Sequence, residues 1–352
     1  MSILQVHDFF TLRLDMIMTT AYPLHQELSA RYQDLLSKVQ RKKLHIDSAL
    51  DSSLDSSLAT QTSLQISYEV IESPQAQAPY LILANGLGGR LYTWLPIIEI
   101  LNPSFNIITW DYRGLFDSQS KEALDRIDVA QHADDLLAIL NQENVKTAHL
   151  CGWSMGVQVS LEFSARNPTR VESLILINGT FGQVFSTAFQ PFVRLPLPTW
   201  LLHEFVEGLK KYESLTRLAV NTAYQPLLAY FGIKNLIGIN QEQSPLILLA
   251  LKQYMSDLLG DHLNAYLSLF QHLDAHNIYH LLPKIDQPTL IISGGLDFLT
   301  PPYQSKQIAR RMKQATYQNI AIGTHFVLLE RTDAVKDAIL KHFRSVGIFI
   351  QG

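Results

Sequence analysis

A serine, an aspartate and a histidine that together could perform nucleophilic acyl transfer occur in this chain in a usable order. The serine is central in Gly152-Trp153-Ser154-Met155-Gly156, the aspartate closes Gly294-Gly295-Leu296-Asp297, and the histidine ends Gly323-Thr324-His325. A serine hydroxyl is a weak nucleophile until a neighbouring base takes its proton, and an imidazole held by a carboxylate is such a base. Ser154 is therefore the candidate nucleophile, His325 its base and Asp297 the acid that orients the base. Gly152 and Gly156 fit a turn so sharp that the serine backbone is strained and its hydroxyl stands clear of the chain. A helix starting beside Ser154 would turn its first N–H groups toward any oxyanion formed there. Trp153 and Met155 are expected to flank the pocket. The plainer alternative for the same five residues is a strand-to-helix turn whose serine caps the helix.

These residues need a scaffold, and the hydrophobic pattern supplies one. The apolar run Ala148–Cys151 reads as a buried strand, and Val157–Ala165 has helical spacing. Ser63–Glu72 alternates apolar and polar residues, as a half-exposed strand near a sheet edge does. Tyr80–Ala84 is a fully apolar strand that ends in Asn85-Gly86-Leu87-Gly88-Gly89. That turn lacks the lysine of a phosphate loop and the spacing of a dinucleotide fold, so an oxyanion-holding turn fits it better, with the Leu87 N–H as donor. Gly86 and Gly88 then border the pocket, and Phe326, next to the histidine, is a further candidate for its wall. Further strands are expected at Phe105–Trp110, Glu172–Ile177, Pro288–Ser293 and near Asn319–Ile322, with helices at Asp128–Gln142 and Tyr303–Met312. Such alternation gives an α/β fold, a doubly wound, mostly parallel sheet with helices on both faces.

From Phe181 to Leu282 the alternation stops and the sequence is helical, rich in leucine and aromatic residues. This is read as a large helical cap inserted after the strand that follows the nucleophile helix, above the carboxyl ends of the strands. The expected organisation is an N-terminal helical extension and surface loop (1–62), a first part of the core (63–180), the cap (181–282) and the rest of the core (283–352). In the extension, Leu24–Val39 has a helical apolar face, and a polar repeat at Asp51–Leu58 reads as a loop.

With 352 residues and 47% hydrophobic content, the chain can bury a sizeable core. A net charge of −4, with no basic cluster larger than Arg41-Lys42-Lys43, argues against a nucleic-acid partner; that triplet is read as a solvated helix end. The single cysteine, Cys151, excludes an internal disulfide. Asp8, Arg13 and Asp15 interrupt the apolar N-terminus, and no segment is long and apolar enough to span a bilayer, so a soluble, cytoplasmic protein without stable membrane insertion is expected. Oligomeric state is left open.

At this point the chain resembles the α/β-hydrolase family, in its serine hydrolase branch, from about Ser63 to the C-terminus. Gly152–Gly156 matches the family's G-x-S-x-G nucleophile elbow, Gly294–Asp297 with Pro301 its acid loop, and His325 followed by Glu330 its histidine loop. The resemblance implies that Leu87 and Met155 supply the two oxyanion N–H groups, and that Asp111-Tyr112-Arg113-Gly114 is a structural turn. Three positions depart from the common pattern: Asn85 replaces a histidine, Thr324 a glycine, and Leu115-Phe116 smaller residues. None removes a catalytic group; pocket shape and substrate stay open.

Other residues compete for these roles. His149 lies inside a strand and reads as a packed core histidine; His272, His276 and His280 fall at helical spacing, but no carboxylate pattern supports a metal face, and no metal or cofactor is expected. Asp286 precedes its strand and so stands at the wrong end of the sheet to serve as the acid. Cys151 sits on a strand before the turn, where it packs rather than reacts. The expected activity is hydrolysis of a carboxylic ester with a hydrophobic acyl or alcohol part, since burying such groups under an apolar cap is worth about 25 cal/mol per Å². The same triad would also serve an acyltransferase, a thioesterase or a C–C bond hydrolase, and a non-catalytic ligand-binding relative is an alternative of another class.

Overall fold

A computed structural model describes residues 32–47, 63–118, 127–184, 199–216, 250, 253–254, 257 and 263–350. Its strands are β1 (Gln40–Asp47), β2 (Ser63–Ile71), β3 (Tyr80–Ala84), β4 (Asn106–Trp110), β5 (Ala148–Trp153), β6 (Val171–Ile177), β7 (Thr289–Gly294) and β8 (Ala315–Ile320). They form one eight-stranded sheet in the order β1-β2-β4-β3-β5-β6-β7-β8. β2 runs antiparallel to β1 and β4, and all other pairs are parallel. The helices are α1 (Leu95–Leu101), α2 (Val129–Gln142), α3 (Met155–Arg166), α4 (Thr199–Lys211), α5 (Leu263–Ala275), α6 (Pro302–Arg311), α7 (Val327–Glu330) and α8 (Thr332–Ser345).

The central strands are apolar throughout because both faces of the sheet are covered. Ile82 and Ala84 of β3 face one cluster with Leu136 and Ile139 of α2, Val157 and Leu161 of α3 and Ile308 of α6. Leu81 and Leu83 face the other, with Ile97 and Ile98 of α1 and Val335, Ile339 and Phe343 of α8. The doubly wound α/β sheet expected from the sequence is therefore present. α2 starts where its cap dictates: the Asp128 side chain accepts from Gln131 N at 2.9 Å.

Two expectations need correcting. Arg41-Lys42-Lys43 is not a helix end but part of β1, which pairs with β2 from Gln40↔Val70 to Asp47↔Ser63. β2 is near the edge, as expected, but second from it, and it is more buried than half-exposed: Ile66, Tyr68, Val70 and Ile71 are buried. The sheet thus begins inside the stretch assigned to an N-terminal extension. β1 hides its strand character because an edge strand carries charge on its open side: Arg41, Lys43 and His45 are exposed, while Lys42, Leu44 and Ile46 are half-buried. Lys42 Nζ meets Glu143 at 2.9 Å, and Tyr68 donates to the same carboxylate at 2.6 Å. Of the helix expected at Leu24–Val39, residues 32–37 are helical, with Tyr32 and Leu35 buried; residues 24–31 and the repeat at Asp51–Leu58 lie outside the described residues.

Between β6 and β7 the described residues include α4 and α5, and of residues 217–262 only 250, 253–254 and 257. The chain leaves and re-enters the sheet at adjoining points. Gly182 and Asn277 form an antiparallel bridge, and Ile278 N donates to Phe181 O at 3.0 Å.

Candidate active site

Ser154 stands between β5 and α3 with φ 55° and ψ −117°, a left-handed conformation that a residue with a Cβ adopts only when its surroundings enforce it. The enforcement is close packing. A Cβ on Gly152 would strike Gly156 O, and one on Gly156 would strike Ala84 O, so β5, α3 and β3 meet at van der Waals distance around the serine. Ser154 N donates to Ile177 O at 3.0 Å, which fixes the turn against β6.

His325 and Asp297 arrive from the loops after β8 and β7. Nδ1 of His325 lies 2.9 Å from Asp297 Oδ2, and Nε2 lies 2.9 Å from Ser154 Oγ. The carboxylate can only accept, so the hydrogen sits on Nδ1 and leaves Nε2 to accept from the serine hydroxyl. Asp297 and His325 are 2% and 8% exposed, so the pair is shielded from competing water. The carboxylate is held by more than the histidine. Its Oδ1 accepts from Leu299 N and Thr300 N, each at 2.9 Å, and Thr300 Oγ1 is 2.6 Å from Oδ2.

The histidine backbone is fixed in turn. Trp153 Nε1 donates to His325 O at 2.9 Å, and Asn178 Nδ2 donates to Thr324 O at 2.7 Å and to His325 O at 2.9 Å. Asn178 Oδ1 accepts from Gly294 N at 2.6 Å, so one side chain clamps the acid loop and the histidine loop together. Glu330 grips Thr324 through its N–H at 2.8 Å and its hydroxyl at 2.5 Å; burial raises the Glu330 carboxyl above its usual range while those bonds pull it back.

Opposite the histidine, the turn after β3 carries Leu87. Leu87 and Met155 both line a cavity of about 520 Å³, its opening to solvent included, together with Ser154 and His325. Among the described residues neither the Leu87 nor the Met155 N–H is engaged by a protein acceptor. Tyr254 donates its hydroxyl to Leu87 O at 2.7 Å and so braces this turn. Asn85, where a histidine is common, is structural: it donates to Trp110 O at 2.8 Å and accepts from Trp94 Nε1 at 2.8 Å.

A family model described as the alpha/beta hydrolase fold matches residues 79–332. This chain belongs to that family. A protein named as a putative carbamate hydrolase RutD, from Pantoea ananatis, is 34% identical over 276 residues, 78% of this chain and 91% of that protein. A protein of the same name from Agrobacterium fabrum is 35% identical over 111 residues, 42% of its length. Among solved structures, the enol-lactonase from Burkholderia xenovorans LB400 superposes with a TM-score of 0.63 at 23% identity, covering 80% of this chain and 96% of that one, which shows the shared fold.

Not every residue expected at the pocket of this alpha/beta hydrolase lines it. Trp153, Gly86, Gly88 and Phe326 are not among the residues that line this cavity. The Trp153 ring packs 5.6 Å from the His325 ring and 5.7 Å from that of Phe326, and a Cβ on Gly86 would press into Trp153. The wall includes Tyr254, Phe270, Leu273 and Val184, with Gln158, Thr180 and Thr300 as polar contributors. The sequence pattern did not single these out, because leucines and aromatics recur throughout 181–282 and nothing local distinguishes those that face a cavity.

The competing residues are placed elsewhere. His149 bonds Ser173 at 2.8 Å beside Phe105 and Phe343, and burial lowers it to about 4. Burial pushes the Cys151 thiol up. Asp286 pairs with exposed Lys313 at 2.8 Å. The helical spacing of His272, His276 and His280 does not hold as a helix face, since α5 ends at Ala275. Among the described residues no group of three or more His, Cys, Asp or Glu could hold a metal ion, and no helix is long and apolar enough to cross a membrane.

Proposed function

We propose that this alpha/beta hydrolase cleaves carboxylic esters by acyl transfer through Ser154. His325 Nε2 takes the hydroxyl proton as Ser154 Oγ attacks the ester carbonyl carbon, and Asp297 keeps Nδ1 protonated and stabilises the imidazolium. The Leu87 and Met155 N–H groups receive the oxyanion. His325 then passes its proton to the leaving alcohol, and a water activated by the same histidine releases the acid and restores Ser154. The chemistry requires neither metal nor cofactor. The observation that carries this reading is the pair of 2.9 Å contacts of His325, to Ser154 Oγ on one side and Asp297 Oδ2 on the other. The apolar side chains of Tyr254, Phe270 and Leu273 favour a substrate with a hydrophobic part.

Hydrolysis of p-nitrophenyl esters from acetyl to palmitoyl tests it. Wild type should show an optimum at one chain length, and Ser154→Ala should lose about 10³-fold or more of kcat. The panel should include a p-nitrophenyl carbamate, given the name carried by the Pantoea relative. Failure of a fluorophosphonate probe to label Ser154 would remove the nucleophile from the scheme.

A further inference from the structure

Gln158 stands one helical turn beyond Ser154 on α3, on the same face, and lines the cavity while being 0% exposed to solvent. His276 sets its orientation. His276 Nδ1 lies 2.6 Å from Gln158 Oε1 and its Nε2 lies 3.0 Å from Glu162 Oε2. Both partners are acceptors, so with the amide oxygen toward His276 the ring carries a hydrogen on each nitrogen, as an imidazolium paired with Glu162. The Glu162 carboxyl is held below its usual range, chiefly by the bond from His276.

The amide NH2 is left on the other side, and its protein partners are poor. Thr180 Oγ1 and Leu273 O both lie 3.4 Å from Gln158 Nε2, beyond the roughly 2.7–3.2 Å of a good N–H···O bond. A buried amide with a purely structural task would place its N–H groups on acceptors at full strength, because a buried unsatisfied donor is destabilising. Here the oxygen is anchored firmly and the nitrogen is not.

We propose that Gln158 is a specificity-determining residue, whose Nε2–H donates to a carbonyl or hydroxyl oxygen on the acyl part of the substrate. The inference rests on reading Ser154 as the nucleophile, and it narrows the substrate class from a plain hydrocarbon ester to an oxo- or hydroxy-acyl ester. Side chains at i and i+4 are about 5–6 Å apart at Cβ, so the amide and the Ser154 hydroxyl border the same cavity within reach of one acyl group. Glu162 and His276 are positioning residues that act through the amide.

The test measures binding apart from turnover. In Ser154→Ala protein, titration calorimetry should find methyl 4-oxopentanoate bound about tenfold more tightly than methyl pentanoate, the worth of one neutral hydrogen bond at this scale. Gln158→Glu in the same background keeps the shape and an oxygen for His276 but exchanges the donor for an acceptor, so the preference should vanish or invert. Gln158→Leu should also abolish it, which guards against one variant failing to fold. Equal affinity for the two esters, or a preference that survives both Gln158 variants, would overturn the assignment. Hydrolysis of p-nitrophenyl 4-oxopentanoate by wild type is scored separately: a Gln158-dependent binding preference without turnover would leave the assignment standing and sink the esterase reading instead.

Discussion

Asn178 shows how much of the Ser154–His325–Asp297 arrangement can depend on a residue outside those three. It adopts φ 48°, a conformation asparagine tolerates better than most residues, and from there reaches Gly294, Thr324 and His325 at once. Asn178→Ala removes all three bonds; we expect a loss of about 2–3 kcal/mol in urea unfolding and a fall in kcat of about a hundredfold with little change in KM, because a shift of the imidazole by a fraction of an ångström is enough. Thr300→Val tests the acid alone. It removes the hydroxyl 2.6 Å from Asp297 Oδ2, and kcat/KM should fall about tenfold while the fold stays intact by circular dichroism. At this scale Ser154, Asp297 and His325 were legible in the sequence, since each follows an apolar strand and their chain order is informative. Asn178 and Thr300 were not, because their value comes from contacts across loops that are separated in the sequence by more than a hundred residues or hidden in an ordinary turn.

Elements were legible in proportion to how fully they are buried. Strands β3 to β7 are covered on both faces and announce themselves as apolar runs, whereas β1 and β8 lie at the two edges, and the polar pattern of β8 and the charges of β1 mask their periodicity. The turn after β4 is locked to α2 by a buried ion pair, Arg113 Nη2 to Asp135 Oδ1 at 2.6 Å. Burial drives the Asp135 carboxyl up, to about 6, against the pull of Arg113. Arg113→Met alone should therefore cost about 3–5 kcal/mol by leaving a buried carboxylate without its cation, while Arg113→Met with Asp135→Leu should recover most of the loss, both read from denaturant midpoints. Tyr254→Phe probes the link between the chain after α4 and the turn after β3 that is proposed to hold the oxyanion. Losing its bond to Leu87 O should lower kcat about tenfold and leave stability nearly unchanged.

For the molecule as a whole, buried histidines set the response to acid. Burial lowers His132 to about 3 and His149 and His342 to about 4, from an ordinary value of 6.5. Between those limits the unfolded chain takes protons that the folded chain refuses, so stability falls as pH drops from about 6.5 toward 4. Asp111 and Asp135, raised to about 7 and about 6 by burial, together with Glu69 and Glu330, also raised by burial, act in the opposite sense and offset part of that loss. The urea midpoint should be lower at pH 5 than at pH 7. His342→Phe, which removes a buried Nε2 without a partner among the described residues, should flatten that slope. The bridge between Gly182 and Asn277 bears on how such a molecule can diversify. Because the two ends of the intervening chain already touch, its length and sequence can change without altering the path of β6 or β7, and loop length itself adds little closure entropy. A short connector joining 182 to 277 would therefore still let the sheet close.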